Sequence, residues 1–218
     1  MPSQRPDPGD RRREVRTVAA TGLKVERRDD ADAPRIVGHA IVYDQWTTLH
    51  EGRSFVWREK IARGACRSAL AEGQDVRCLF NHDPNYVLGR TKSGTLRLTE
   101  DATGLLAEID PPDTPTVRDL VLAPIARGDV SGMSFSFLVR EGGQVVTTRE
   151  EGDRIVEERE VLALDLLDVS PVTFPAYEQT DVALRSLAER REREFRSLAA
   201  RRLARMRIRQ RMSDALSL

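Results

Sequence analysis

One serine, one histidine and one aspartate are enough for nucleophilic acyl transfer, and this chain carries a candidate for each. His82 lies in Asn81-His82-Asp83-Pro84, and Ser134 lies in Ser131-Gly132-Met133-Ser134-Phe135-Ser136-Phe137. Asp168 opens Asp168-Val169-Ser170-Pro171-Val172-Thr173-Phe174-Pro175-Ala176. A serine hydroxyl is a poor nucleophile at neutral pH, so it needs a base in contact with it and a third group to orient and charge-balance that base. The order along the chain, His then Ser then acid, is neither His-Asp-Ser nor Asp-His-Ser. No Gly-x-Ser-x-Gly elbow surrounds Ser134 either, so a different scaffold has to position the three.

Each candidate has competitors. The other histidines are His39, inside an apolar strand pattern and read as structural, and His50, in a polar stretch and read as a solvated surface group. If Met133, Phe135 and Phe137 face a core, Ser134 and Ser136 share the opposite face and Ser131 points with the phenylalanines; periodicity does not choose between Ser134 and Ser136. Asp165 and Asp168 are three apart on one strand and point to opposite faces, so only one can reach the site. An aspartate among Leu166, Leu167 and Val169 needs a partner, His82 or one of the many arginines. Cys78 as a nucleophile for His82 fails on distance, because four residues of strand span about 13 Å. No His-Glu-x-x-His or paired Cys-x-x-Cys spacing suggests a metal, and no cofactor is expected.

The elements that must hold these residues fit one catalytic domain with tails: 218 residues with 39% hydrophobic content bury one substantial core. No apolar run reaches the ~18 residues of a membrane span, and the start is polar, unlike a signal peptide, so a soluble cytoplasmic protein is expected. Cys66 and Cys78 read as free thiols. The net charge of zero hides an asymmetry. Residues 185–218 carry 11 Arg against 4 acids and residues 1–28 carry 8 basic against 4 acidic, leaving 16 basic and 27 acidic between them. An acidic body sits between two basic ends.

Residues 1–14, rich in Pro and Arg, are expected to be disordered, with an ordered domain over 15–184 and a basic helical tail over 185–218. Strands are expected at 36–43, 55–57, 76–82 with His82 at the strand end, 95–99, 104–109, 133–139, 144–149, 154–164 and 167–174. Helices are expected at 65–72, closed by Gly73, and at 115–127, ending at Gly128. Seven to nine strands with two interposed helices suggest a mainly β fold with α, a closed or nearly closed antiparallel β-barrel with helices around it. In the tail, Phe195, Leu198, Ala199, Leu203 and Met206 form a narrow stripe on an Arg-covered helix.

The chain resembles the prohead maturation proteases of tailed bacteriophages. The resemblance covers about residues 35–185 and rests on Gly38-His39-Ala40-Ile41-Val42-Tyr43, on Asn81-His82-Asp83 with Leu88-Gly89-Arg90 after it, on Gly132-Met133-Ser134-Phe135-Ser136-Phe137, and on Asp168 through Ala176. It implies a fold similar to the herpesvirus capsid-assembly protease, with His82 as base and Ser134, directly after Gly-Met, as nucleophile. That viral enzyme has a second histidine where this chain has Asp168, and its oxyanion-supporting arginine pair has no counterpart in Phe174-Pro175-Ala176-Tyr177. The implied activity is a serine endopeptidase inside the procapsid, in the host cytoplasm. Its implied substrates are the scaffolding segment of the major capsid protein, any separate scaffold protein, and itself. A homodimer is a candidate assembly, and nucleic acid is not required. The alternative reading is a non-enzymatic capsid-assembly or nucleic-acid-binding protein that uses the basic ends, for which the tail arginines are the sole support.

Overall fold

The computed structural model describes residues 4–5, 13–19, 22–28, 31–174 and 189–197. Alternating apolar residues and glycine-marked turns produce fourteen strands there, numbered β1 to β14 along the chain, in three sheets. The first sheet runs β3 (Lys24–Arg28), β4 (Ala31–Val42), β10 (Gly104–Ile109), β9 (Leu96–Glu100). The second runs β2 (Glu14–Ala19), β11 (Gly132–Val139), β14 (Leu164–Val172), β7 (Arg77–Phe80), β8 (Asp83–Arg90). The third runs β1 (Gln4–Arg5), β12 (Gln144–Glu151), β13 (Arg154–Val161), β6 (Phe55–Ile61), β5 (Thr47–Glu51). Ile36, Ile41, Leu105 and Ile109 of the first sheet meet Met133, Phe135, Phe137 and Val169 of the second in one core.

The expected closed antiparallel barrel does not form: among the described residues the strands make three separate sheets, none closed on itself. The reason lies in two crossings that hairpin-by-hairpin reading does not register. β6 is followed by β7 in another sheet, and β13 by β14, so both chain segments pass from the third sheet to the second in the same direction. Their pairings are therefore parallel, β13 with β6 and β14 with β7. Backbone bonds stitch the two crossings together, Ala62 N to Val161 O at 2.8 Å and Leu164 N to Ala65 O at 3.0 Å.

Helix α1 (Arg67–Ala71) lies in the first crossing, with Gly73 beyond it at φ +62°. The helical run α2 (115–127) is capped by Thr114, whose Oγ1 accepts from Val117 N, and it ends at Gly128 with φ +83°. Its middle, Arg118–Leu122, is one wide turn in which Ala123 N bonds Arg118 O five residues back. Pro124 explains the widening, since proline has no N–H to give and its ring crowds the carbonyl four residues earlier. Of the expected basic tail, 189–197 form helix α3. It docks on the third sheet: Phe195 stacks on Phe55 with centroids 5.4 Å apart, and Glu192 accepts from Ser54 N at 2.8 Å. Leu198, Ala199, Leu203 and Met206 of the expected stripe lie outside the described residues. So do 1–3 and 6–12 of the segment expected to be disordered, of which Gln4–Arg5 pair with β12 and Glu14 opens β2.

Three buried charges, Arg16, Glu59 and Arg159, and the half-buried Glu14 clasp β2 to the third sheet. Arg16 donates to Glu59 through Nε (2.6 Å) and Nη2 (2.9 Å) and to Glu14 through Nη2 (2.6 Å). Arg159 Nη1 reaches Glu59 at 2.8 Å and Glu14 at 2.6 Å, and its Nε donates to Gln144 at 2.6 Å. Burial alone would raise the Glu14 pKa; the hydrogen bonds and charge of Arg159, with Arg16, outweigh it and hold the carboxyl below its ordinary value. The Glu14 contribution to stability is therefore present above its unfolded pKa, near ~4.3, and is lost as pH falls through the lower folded value. Glu59, 3% exposed, is the hub. Glu59→Leu takes from two buried guanidinium groups one of the two carboxylates they share and is expected to cost about 3–5 kcal/mol in urea unfolding at neutral pH. Glu59→Leu combined with Arg159→Met should recover part of that loss, and equal midpoints for wild type and Glu59→Leu would refute the clasp.

Candidate active site

The pairing of β11 with β14 sets the site. Ser134 lies opposite Ser170 and Ser136 opposite Asp168, so one sheet face carries all four polar side chains while Met133, Phe135 and Phe137 fill the core on the other. The alternation anticipated that division. It did not anticipate enclosure: β2 pairs along the far edge of β11, Ser134 with Thr17, and Ser134 and Ser136 are 1% and 0% exposed.

His82 does not end a strand as expected. It is the second residue of the two-residue turn joining β7 to β8, where Phe80 pairs with Asp83, and both turn residues have positive φ, Asn81 at +54° and His82 at +58°. That is a type I′ hairpin, which favours Asn first and Gly second because L side chains avoid this region. A histidine there costs about 1–3 kcal/mol in backbone strain, and such strain concentrates at functional positions. Asn81 braces the turn. Its N–H donates to Pro171 O at 3.0 Å, its Nδ2 donates to Thr173 Oγ1 at 3.1 Å, and its Oδ1 accepts from Thr173 N at 2.9 Å.

The turn delivers the imidazole between the two strands. His82 Nδ1 is 2.5 Å from Asp168 Oδ1, and Nε2 is 2.6 Å from Ser134 Oγ. Asp168, 4% exposed, also accepts from Ser170 Oγ at 3.0 Å, from Arg13 Nη2 at 3.0 Å, and from Ser136 Oγ. Burial by itself would raise the Asp168 pKa. The hydrogen bonds of His82, Ser136 and Ser170 and the charge of His82 overcome it, and the net shift is downward. An ionised Asp168 places the imidazole proton on Nδ1 and leaves the Nε2 lone pair facing the serine hydroxyl. Asp165, the competing acid, points elsewhere, accepting from Gln74 Nε2 at 2.5 Å and Arg140 Nε at 2.8 Å.

Ser134 Oγ has one proton and two acceptors for it, His82 Nε2 and Arg16 O at 2.9 Å. Thr17 Oγ1 donates to the same oxygen from 3.0 Å. With neutral imidazole the proton goes to Nε2. With imidazolium, Nε2–H becomes a donor, and the serine proton turns to Arg16 O. The arrangement can thus abstract a proton from a hydroxyl held at a base.

The remaining candidates separate from the site. His39 Nε2 pairs with Asp101 Oδ2 at 2.8 Å. His50 is half-buried in β5, its ring 5.9 Å from Phe55, so it is not the solvated group expected. Cys78 is a buried free thiol whose pKa burial and Asp168 raise; burial likewise pushes Cys66 up to about 12. No cluster of metal-ligating side chains occurs among the described residues. Of the segment where the arginine pair was missing, Phe174 is exposed, and Pro175, Ala176 and Tyr177 lie outside the described residues.

A family profile described as caudovirus prohead serine protease matches residues 21–193. The chain belongs to that family. A comparison with curated proteins found no match. The family is one of serine proteases and fits phage capsid maturation. The matched span begins after β2, so Arg13, Arg16 and Thr17 lie outside it while touching the site. Sequence reading missed all three, because Thr17 and Ser134 are 117 positions apart and only the edge pairing of β2 brings them together.

Thr17→Val removes the hydroxyl that donates to Ser134 Oγ and keeps the shape. One such hydrogen bond corresponds to about a three- to ten-fold slower reaction of Ser134 with a small fluorophosphonate. Thr17→Ser should restore the rate, and a Thr17→Val protein reacting at the wild-type rate would remove Thr17 from the site.

Proposed function

We propose that the chain is a serine endopeptidase of procapsid maturation. Ser134 attacks the scissile carbonyl while His82 Nε2 takes its proton. His82 then gives that proton to the leaving amine, and water, deprotonated by the same imidazole, hydrolyses the Ser134 ester and restores the hydroxyl. Asp168 orients the ring and balances the imidazolium, and Ser136, Ser170 and Arg13 hold the carboxylate in place. The observation that carries this reading is the unbroken path from Asp168 through His82 to Ser134, at 2.5 and 2.6 Å.

The substrates that fit the family are the scaffolding segment of the major capsid protein, a separate scaffold where one exists, and the chain itself, cut within the assembling procapsid in the host cell. No helix among the described residues is long and apolar enough to cross a membrane. The Arg-rich tail suits docking to an acidic scaffold. A purely binding role through the basic ends explains neither the strained His82 turn nor the donors gathered on Asp168.

Co-expression with the major capsid protein, followed by intact-mass measurement of both products, tests the reading. A shortened capsid protein is expected with wild type and not with Ser134→Ala; unshortened capsid protein in both would overturn it. Ser134→Ala and His82→Ala should each cost about 10⁶-fold on a peptide substrate, with the double variant no worse, since residues acting as one unit are non-additive. Asp168→Asn should cost about 10⁴-fold. Asp165→Asn, whose carboxylate faces Gln74 and Arg140, should stay within a few-fold of wild type by the same comparison. Losses that multiply in the double variant, or a larger loss from Asp165→Asn than from Asp168→Asn, would break the assignment.

A further inference from the structure

Ser134 is closed on one flank by β2, where Thr17 and the Arg16 carbonyl contact its hydroxyl, and on the other by β14. A scissile carbonyl therefore has to arrive past the His82 ring. Open space lies on that side. A recess of about 270 Å³ is bounded by His82, Asn81, Val172, Thr173 and Phe174. Through Asn81 and Thr173 it meets a larger one of about 400 Å³, whose apolar walls are Phe80, Tyr86, Leu120, Pro124 and Val130. That volume falls in the range of ligand-binding clefts.

The surface around these recesses is unusually apolar. Six large hydrophobic side chains stand exposed among the described residues, and Tyr86, Leu120 and Phe174 line the recesses, at 41, 53 and 68% exposure. Val87, at 45%, follows Tyr86 on β8. Apolar surface gathered beside a reactive centre marks an interaction site rather than scatter. The backbone irregularities point the same way: Asn81 of the strained Asn81–His82 turn stands in the wall shared by the two recesses, Leu120 comes from the widened part of α2, and Pro124 follows it. Wide turns of this kind occur frequently at functional sites. The nearby carboxylates are already held. Asp83 Oδ1 accepts from Asn85 N and Nδ2 at 2.8 Å, and Asp129 pairs with Arg127 at 3.1 Å. A neutral side chain suits the recess better than a basic one.

We propose that the larger recess receives a large apolar side chain, Leu, Ile, Met or Phe, of the extended peptide being cut, from one fixed position flanking the scissile bond. This rests on the protease reading of the triad and adds its substrate class. The continuity of the recess with the His82 side of the triad selects a peptide substrate as occupant over a second copy of the chain.

The test uses the full chain. Wild type is treated with a small fluorophosphonate, which reports Ser134 reactivity, and separately digests a mixture of peptides from denatured casein whose new ends are sequenced by mass spectrometry. Leu, Ile, Met and Phe should be enriched about ten-fold or more at one fixed position relative to the cut. In Leu120→Asp that enrichment should collapse by a similar factor, a ratio internal to each digest and independent of how much protein is active. Tyr86→Ser serves if Leu120→Asp does not fold. Wild type that shows no positional enrichment, wild type that labels but cuts no peptide, or variants with undiminished enrichment would overturn the recess. The same holds for variants that turn a dimer into a monomer by light scattering while keeping the enrichment, which would give this face to a second copy. Absence of labelling would instead fell the protease reading, and this proposal with it.

Discussion

A carboxylate taken out of water costs several kcal/mol unless donors surround it, and Asp168 is the group around which the second sheet is organised. Its oxygens are met by an imidazole from the β7–β8 turn, a hydroxyl from the neighbouring strand, a hydroxyl two residues along its own strand, and a guanidinium from the segment before β2. Three chain segments distant in sequence converge with its own strand on one charge. Each donor satisfies the acid and is itself oriented by it, and the orientation of His82 is what aims Nε2 at Ser134. The stability of the sheet and the placement of the imidazole at the Ser134 hydroxyl thus share one set of hydrogen bonds.

The same logic governs β2. An edge strand with open backbone groups invites mispairing. Here the ion quartet of Glu14, Arg16, Glu59 and Arg159 fixes it to the third sheet while its backbone covers β11. Arg16 serves both ends, its guanidinium in the buried network and its carbonyl at the Ser134 hydroxyl. Because the side chain is locked at four hydrogen bonds, three to carboxylates and one to Val15 O, the carbonyl has little freedom to move from the Ser134 hydroxyl.

Much of this was legible in residue types and period. The two-residue period of β11 divided Met133, Phe135 and Phe137 from Ser134 and Ser136. The three-residue separation of Asp165 and Asp168 put them on opposite faces, and a lone acid among leucines demanded a partner. The hairpin of β9 and β10 and the ends of α2 followed from turn and cap chemistry. What stayed hidden was non-local. Parallel pairs β13–β6 and β14–β7 leave no mark in either strand, and they are why three open sheets form instead of a barrel. Arg13 falls in the segment expected to be disordered and Thr17 just beyond it where no strand is expected; the pairing of β2 with β11 places Thr17, and the Asp168 carboxylate holds Arg13. His82 was read as strand because Val76, Cys78 and Phe80 alternate up to it, and Asn-His lacks the glycine that announces a type I′ turn.

That missing glycine bears on how the site works. Glycine would fit the second turn position without strain but has no imidazole, whereas a strand position would supply the imidazole along the sheet normal, beside Phe80. The tight turn carries the ring past the end of β7 and over β14 to a point between Asp168 and Ser134, which a regular strand geometry does not reach. The strain is held by three hydrogen bonds to the segment that directly follows the face bearing Asp168 and Ser170, two donated by Asn81 to Pro171 O and Thr173 Oγ1 and one accepted by it from Thr173 N. Asp168 and His82 are therefore positioned by one continuous stretch, β14 and the Thr173 that follows it, and a shift of that stretch moves both together rather than pulling His82 away from Asp168.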